Sequence, residues 1–139
     1  MEEAIAYFYD ALRTLETLPD ADRNRRRRLR LVFDQTGEFH FLHRHREYHD
    51  LIRRHEPLVL ELGDDALLGA YYARLGHRQW TFGEISEATA TLERAAELCE
   101  ACGQAEDAAA TYAILAWAHL MLGNYERVKE YRDNALEKI

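Results

Sequence analysis

The sequence contains few residues that interrupt secondary structure, with only two prolines and seven glycines in 139 residues. A sheet-rich protein needs such residues at its many turns, so their scarcity argues against a β sandwich or barrel. Alanine, leucine, glutamate and arginine are abundant instead, as in long helices. We therefore predict an all-α fold, and an apolar content of 47% is enough for a continuous core.

Cysteine is equally scarce, with two residues in the chain. Two thiols do not make a disulfide scaffold, so we expect a reducing, cytoplasmic location. No apolar run approaches the roughly 18 residues needed to span a bilayer. The acidic start, Met1-Glu2-Glu3, has the wrong charge for a signal peptide. We expect neither a membrane partner nor a targeting segment.

An excess of positive charge is also missing, because the formal net charge is −7. The charge is uneven: residues 20–56 carry seven acidic and ten basic side chains, and residues 57–139 carry fourteen acidic and seven basic ones. An acidic chain lacks the extended positive field that binding to nucleic acid requires. We expect no nucleic-acid partner.

Catalytic motifs are absent: the sequence has no phosphate-binding glycine loop, no GxSxG and no HExxH order. The acid pairs Asp64-Asp65 and Glu106-Asp107 stand where helices are predicted to begin, and carboxylates there cap free amides. We therefore expect no enzymatic activity, cofactor or metal site in this chain.

Two further motifs have both a chemical and a structural interpretation. The CxxC of Cys99 and Cys102 lies at the end of a predicted helix, where the helix dipole disfavours a thiolate, so we favour packing residues over a redox or zinc site.

His45 and His49 share a helical face and could hold a metal ion, but the flanking arginines would repel it. Surface histidines are therefore favoured over a metal site or a pH response.

The glycines reveal an internal repeat. Gly63 and Gly103 each follow an apolar amphipathic stretch, Gly83 and Gly123 lie between them, and both spacings are 40 residues. Superposing the two repeats aligns apolar and small residues three or four positions apart, which places them on one helical face and predicts antiparallel helix pairs. The small residues that would allow close helix approach are Gly76, Ala95, Ala116 and Ala135.

The segment before these repeats predicts a degenerate third pair over residues 20–63. It comprises an arginine-rich helix from about residue 22 to 35, a turn at Gly37 and a helix over about 41–62. Pro57 lies within that second helix and removes a backbone donor, so we expect a kink or break near His55.

Residues 1–19 are predicted to form an orphan helix, the second helix of a pair whose first helix is missing. Its apolar face needs a partner surface, so we expect self-association through truncated ends. We thus predict one domain over residues 1–139 with about seven helices and with repeats over 64–103 and 104–139. We also expect the chain to be part of a longer parent protein.

These pairs resemble the tetratricopeptide (TPR) motif in the slots of Tyr72, Leu75, Gly76 and Ala88, which recur as Tyr112, Leu115, Ala116 and Val128. The resemblance implies a right-handed α-solenoid. Over about residues 12–136, the chain more narrowly resembles the helical-repeat region of large bacterial signalling proteins that join an adenylate or guanylate cyclase, or a kinase, to an ATPase module. That implies a non-catalytic interaction or regulatory scaffold for a protein, a peptide or neighbouring domains.

In the frame of that motif, the first helices line a concave face. Trp80 and Trp117 are then either binding hot spots or packing residues, with neither alternative favoured. The residues predicted on the concave, partner-binding face are Arg27, Leu31, Asp34, His77, Trp80, Trp117 and Leu120.

The run Arg25-Arg26-Arg27-Arg28 points all around a helix. Only Arg23, Arg27 and Arg30 share a face. A solvated or ion-paired helix is favoured over a site for an acidic partner, and that over nucleic acid. The alternative function is therefore a sensor that binds a small anionic ligand at these three arginines.

Overall fold

The computed structural model describes residues 1–139 and contains nine helices and no strand, which confirms the all-α prediction. The chain forms two compact units, Met1–Gly63 and Asp64–Ile139. Their boundary coincides with the one predicted between the degenerate pair and the first clear repeat, whereas a single domain stays a prediction. No helix is both long enough and apolar enough to cross a bilayer.

The first unit contains five helices, three of them short. The break predicted near His55 is confirmed, because a new helix begins at Glu56 with Pro57 in its first turn. The short helix before His43 and this break account for the two helices beyond the seven that were predicted. The five helices are α1 (Glu2–Glu16), α2 (Asp22–Asp34), α3 (Thr36–Phe41), α4 (His45–Arg54) and α5 (Glu56–Leu62).

The turn predicted at Gly37 is wrong. Gly37 lies within α3, and the chain turns instead between α3 and α4, where His43 adopts a left-handed φ of 56°. The predicted helix over about 41–62 accordingly begins later, at His45. A non-glycine residue rarely occupies this backbone region, so the sequence carried no ordinary signal for the turn.

The expectation that the apolar face of α1 lacks a partner surface is also wrong. Ile5, Phe8 and Leu12 are buried, and α1 packs against α2 and α3 within its own unit. The ring of Phe8 meets that of Phe39 edge to face, with centroids 5.8 Å apart. Self-association through the chain ends stays a prediction, but this face does not require it.

A group of side-chain hydrogen bonds links α1 to the beginning of α4. The Tyr9 hydroxyl donates to the Glu47 carboxylate over 2.6 Å, and Arg44 donates to both Glu47 and Glu2. Burial raises the pKa of Glu47, but the hydrogen bonds from Arg44 and Tyr9 outweigh it and lower that pKa. The group therefore holds the His43 turn against α1.

The second unit consists of four helices that pack in adjacent pairs. Helix α6 packs against α7 and α8 against α9, while α7 and α8 join the two pairs. Gly63 ends α5 in a left-handed conformation, and Gly83, Gly103 and Gly123 have φ values of 81°, 68° and 72°. The four helices are α6 (Asp65–Thr81), α7 (Ile85–Ala101), α8 (Ala105–Met121) and α9 (Tyr125–Glu137).

Small residues bring α6 and α7 close together, as predicted for Gly76 and Ala95. A Cβ atom at Gly76 would lie only 2.6 Å from Cγ of Leu92, and one at Gly69 would lie 3.1 Å from Cβ of Leu98. Ala95 is fully buried. The helix pair therefore depends on the absence of a side chain at Gly76.

Candidate functional site

An exposed apolar stripe runs along α8. We define the α8 stripe as Ala113, Trp117, Leu120 and Met121, whose spacing of three and four residues places them on one side of the helix. The exposed fractions of Trp117 and Met121 are 59% and 63%, and that of Leu120 is 42%. Large apolar side chains grouped in this way on a surface are typical of a protein-binding site.

The opposite side of α8 is in the core, which fixes the direction of the stripe. Ala108, Leu115 and Ala118 are buried, and Tyr112 stacks on Tyr131 of α9 with ring centroids 5.9 Å apart. No charged residue occurs in α8 between Asp107 and its last turn. The helix is therefore apolar on both sides, and only one side is covered within its unit.

Of the two tryptophans, Trp80 is a packing residue. It lies partly buried in α6 against the core cluster that includes Leu92 and Leu115. Its ring also faces that of His77, with centroids 6.1 Å apart. Trp117 has no such burial and presents its ring to solvent, while a binding role for either tryptophan stays a prediction.

The predicted concave positions of the first unit form no apolar surface. Arg27 and Asp34 are exposed and Leu31 is half-buried in α2. These residues belong to a different compact unit from the α8 stripe. Their contribution to partner binding stays a prediction.

The arginine-rich helix divides into a paired side and an exposed side. Arg25 donates to both carboxylate oxygens of Asp20 at 2.8 Å. This hydrogen bonding lowers the pKa of Asp20, as the ion-paired interpretation anticipated. The three residues proposed as an anion contact, Arg23, Arg27 and Arg30, are all exposed on α2.

Three histidines, His40, His43 and His45, lie close together at the turn between α3 and α4. The rings of His40 and His45 lie 5.1 Å apart, and those of His43 and His45 lie 5.8 Å apart. No group of three histidine, cysteine or acidic side chains is arranged to hold a metal ion. His55 lies apart from this group, half-buried at the α4–α5 break, with Nδ1 2.8 Å from the carbonyl oxygen of Leu51.

The two cysteines of the CxxC motif differ in environment. Cys99 is fully buried in α7, with its Sγ next to Gly69, and Cys102 is exposed. Burial raises the pKa of Cys99 to about 11. This placement supports the packing interpretation for Cys99.

We expect one thiol of the native chain to react with iodoacetamide near pH 8, and two after denaturation. A buried thiol with a raised pKa forms little thiolate and is shielded from the reagent. Mass spectrometry of the alkylated chain gives the count and the site. A Cys102→Ser variant should show no native reaction, and fast alkylation of Cys99 in that variant would contradict the buried placement.

Sequence reasoning missed part of the stripe. Met121 lies four residues after Trp117 and is as exposed as that ring, so helical spacing alone could have identified it. Tyr125, at the start of α9, is a further exposed aromatic residue near the end of α8 in sequence. Met121 extends the apolar surface that the predicted pair Trp117 and Leu120 begins.

Comparison with known proteins adds no assignment. No family model matches the chain, and no curated protein is significantly similar to it. The repeat organisation and the exposed stripe are therefore the observations on which a function can be argued.

Proposed function

We propose that this chain is a TPR-like protein-interaction module, without catalysis of its own, that binds an amphipathic segment of a partner protein. The observation that carries the proposal is the α8 stripe, where Trp117 and Met121 are more than half exposed. Tryptophan in a surface patch offers a large, rigid apolar contact together with an N–H donor, which suits a binding hot spot.

The repeat geometry supports the TPR-like part of the proposal. Paired helices of similar length, turns at left-handed glycines and close packing at Gly76 are the features that the motif implies. In such modules the first helix of each pair faces the ligand, and α8 is the first helix of its pair. A role in a cyclase- or kinase-containing bacterial signalling protein rests on the sequence resemblance alone.

The proposal is tested by changing Trp117. We expect Trp117→Ala to weaken partner binding at least thirtyfold, or about 2 kcal/mol, because hot-spot tryptophans contribute energies of this size. Immobilised chain would first capture the partner from an extract of the source organism. The purified partner would then be titrated into each variant by calorimetry.

Phe41→Ala is the matched control, since Phe41 is an aromatic residue of the first unit with 72% exposure. It should leave the affinity unchanged. Equal binding by the Trp117→Ala variant and the wild type would contradict the proposal. A blue shift of Trp117 fluorescence, obtained as wild type minus Trp117→Phe, gives a second measurement of contact. Dependence of that shift on chain concentration alone would identify a second copy as the occupant.

A further inference from the structure

A cavity of about 550 Å³ lies within the first unit. The cavity is lined by residues of α1, α2, the end of α4 and α5. This volume falls within the range of small-molecule sites, about 300–1,000 Å³. The cavity does not include the α8 stripe or any of the three arginines proposed from the sequence.

Two guanidinium groups line the cavity and keep unused hydrogen-bond donors. Arg28 on α2 is about three-quarters buried and forms a long ion pair of 3.8 Å with Asp20, a carboxylate that Arg25 also binds, while its Nε is buried without a hydrogen-bond partner. Arg54, the last residue of α4, is exposed and lines the same cavity. A buried donor without an acceptor is costly and uncommon. An oxyanion that accepts a hydrogen bond from Nε of Arg28 would remove this cost.

The third arginine of the lining is already neutralised. Arg13 forms an ion pair with Asp10 on its own helix. Arg28 and Arg54 approach the cavity from different helices, and Arg28 carries the buried donor from which an anion could accept. Arginine is suited to this task because its planar fork of donors matches phosphate and carboxylate oxygens.

His55 lines the same cavity as Arg28 and Arg54. Burial lowers the pKa of His55, and the charges of Arg54 and Arg28 lower it further, against the raising effects of the Leu51 carbonyl and Glu16. The imidazole is therefore neutral at pH 7. It contributes polarity to the wall without adding a positive charge.

Carboxylates and apolar groups complete the lining. Glu16 and Glu61 border the cavity, and both residues are exposed. Carboxylates are hydrogen-bond acceptors, so they suit ligand hydroxyl groups. Leu12, Leu58 and Pro57 supply an apolar surface between the charged groups.

We infer that this cavity binds a small polyhydroxylated organic anion, with its phosphate or carboxylate held by Arg28 and Arg54 and its hydroxyl groups donating to Glu16 and Glu61. The first unit would thus hold a ligand site separate from the protein-binding stripe. The arginines that face the anion are not those that share the exposed side of α2.

Calorimetric titration with four probes tests the site on the full chain. Ribose 5-phosphate carries a phosphate and hydroxyl groups, gluconate carries a carboxylate and hydroxyl groups, and inorganic phosphate and ribose each carry only one of the two features. We expect ribose 5-phosphate or gluconate to bind at least tenfold more tightly than inorganic phosphate, and ribose not to bind. Which of the two binds identifies the anionic group. Failure of both, or equal binding of inorganic phosphate, would overturn the inference.

The residues are tested with neighbouring arginines of one helix. Arg54→Gln should weaken binding of the better probe at least tenfold, because charge-assisted hydrogen bonds are lost. Arg53→Gln is the control, since Arg53 pairs with Glu56 outside the cavity and should leave affinity unchanged. Equal losses in the two variants would overturn the assignment.

A spectroscopic measurement separates binding from folding effects. The ring resonances of His55 should move on addition of the better probe, while those of the His40 and His43 rings should not. Circular dichroism establishes that an Arg28→Gln variant is folded before its affinity is measured. The Trp117→Ala variant should bind the probe normally, so failure of this inference and failure of the protein-binding proposal are distinguishable.

Discussion

Phe39→Ala is expected to lower the free energy of unfolding by about 3–5 kcal/mol, the cost of removing a fully packed phenyl ring. Phe39 is fully buried in the short helix α3. Its ring contacts Phe8 edge to face and lies 5.3 Å from the ring of Tyr48, and the Arg44 guanidinium stands over it at 5.8 Å. The substitution therefore removes the ring through which α3 contacts both α1 and α4.

Urea denaturation followed by circular dichroism measures this loss. Phe41→Ala is the matched control, because Phe41 belongs to the same helix but is 72% exposed. We expect the control to change the unfolding free energy by less than about 0.5 kcal/mol. Similar losses in the two variants would show that α3 does not organise the core of the first unit. Hydrogen exchange should show the loss concentrated in residues 1–63, because that unit has its own contacts.

The second large effect concerns the contact between Gly76 and Leu92. We expect Gly76→Ala to destabilise the chain by about 1–2 kcal/mol, since overpacking outweighs the better helix propensity of alanine. The added Cβ would lie 2.6 Å from Cγ and 2.7 Å from Cδ2 of Leu92. Leu92 is itself fully buried, so the leucine cannot simply move into solvent.

A double-mutant cycle identifies the cause. Leu92→Ala alone should cost about 2–5 kcal/mol, because it leaves a cavity in the core. In that background the atoms closest to the new methyl group are gone, and Gly76→Ala should then be neutral or stabilising. The expected interaction energy is therefore at least about 1 kcal/mol. Strict additivity in urea denaturation would refute the close approach.

Gly37→Ala is the control for glycine replacement itself. No atom lies within 4 Å of a Cβ built at Gly37, and its φ is not left-handed. We expect this variant to equal or slightly exceed the wild type in stability. A loss as large as that of Gly76→Ala would mean that flexibility rather than packing determines the effect.

The sequence was informative where local chemistry decides the structure. Pro57 predicted the break between α4 and α5, because a missing backbone donor acts at its own position. The left-handed glycines predicted the helix ends of the second unit for the same reason. The turn at His43 escaped prediction because its conformation is held by distant partners, including the Tyr9–Glu47 bond.

The candidate sites could be predicted only in part. The frame of the TPR resemblance placed Trp117 and Leu120 on one face, and both residues are exposed. Spacing could not separate Trp80 from Trp117, since burial depends on the neighbouring helix. Nor could it identify Arg28 and Arg54, which meet at one cavity only because α1 and α5 pack beside α2 and α4.

The regular placement of the left-handed glycines has a consequence for how such a chain can grow. Gly63, Gly83, Gly103 and Gly123 recur every 20 residues, and each terminates one helix before the next begins. A tandem duplication of residues 64–103 would therefore insert a complete helix pair between two turns without shifting any other helix out of register. In repeat proteins each pair contacts mainly its neighbours, so gene duplication could lengthen such a chain by whole pairs while preserving the existing core.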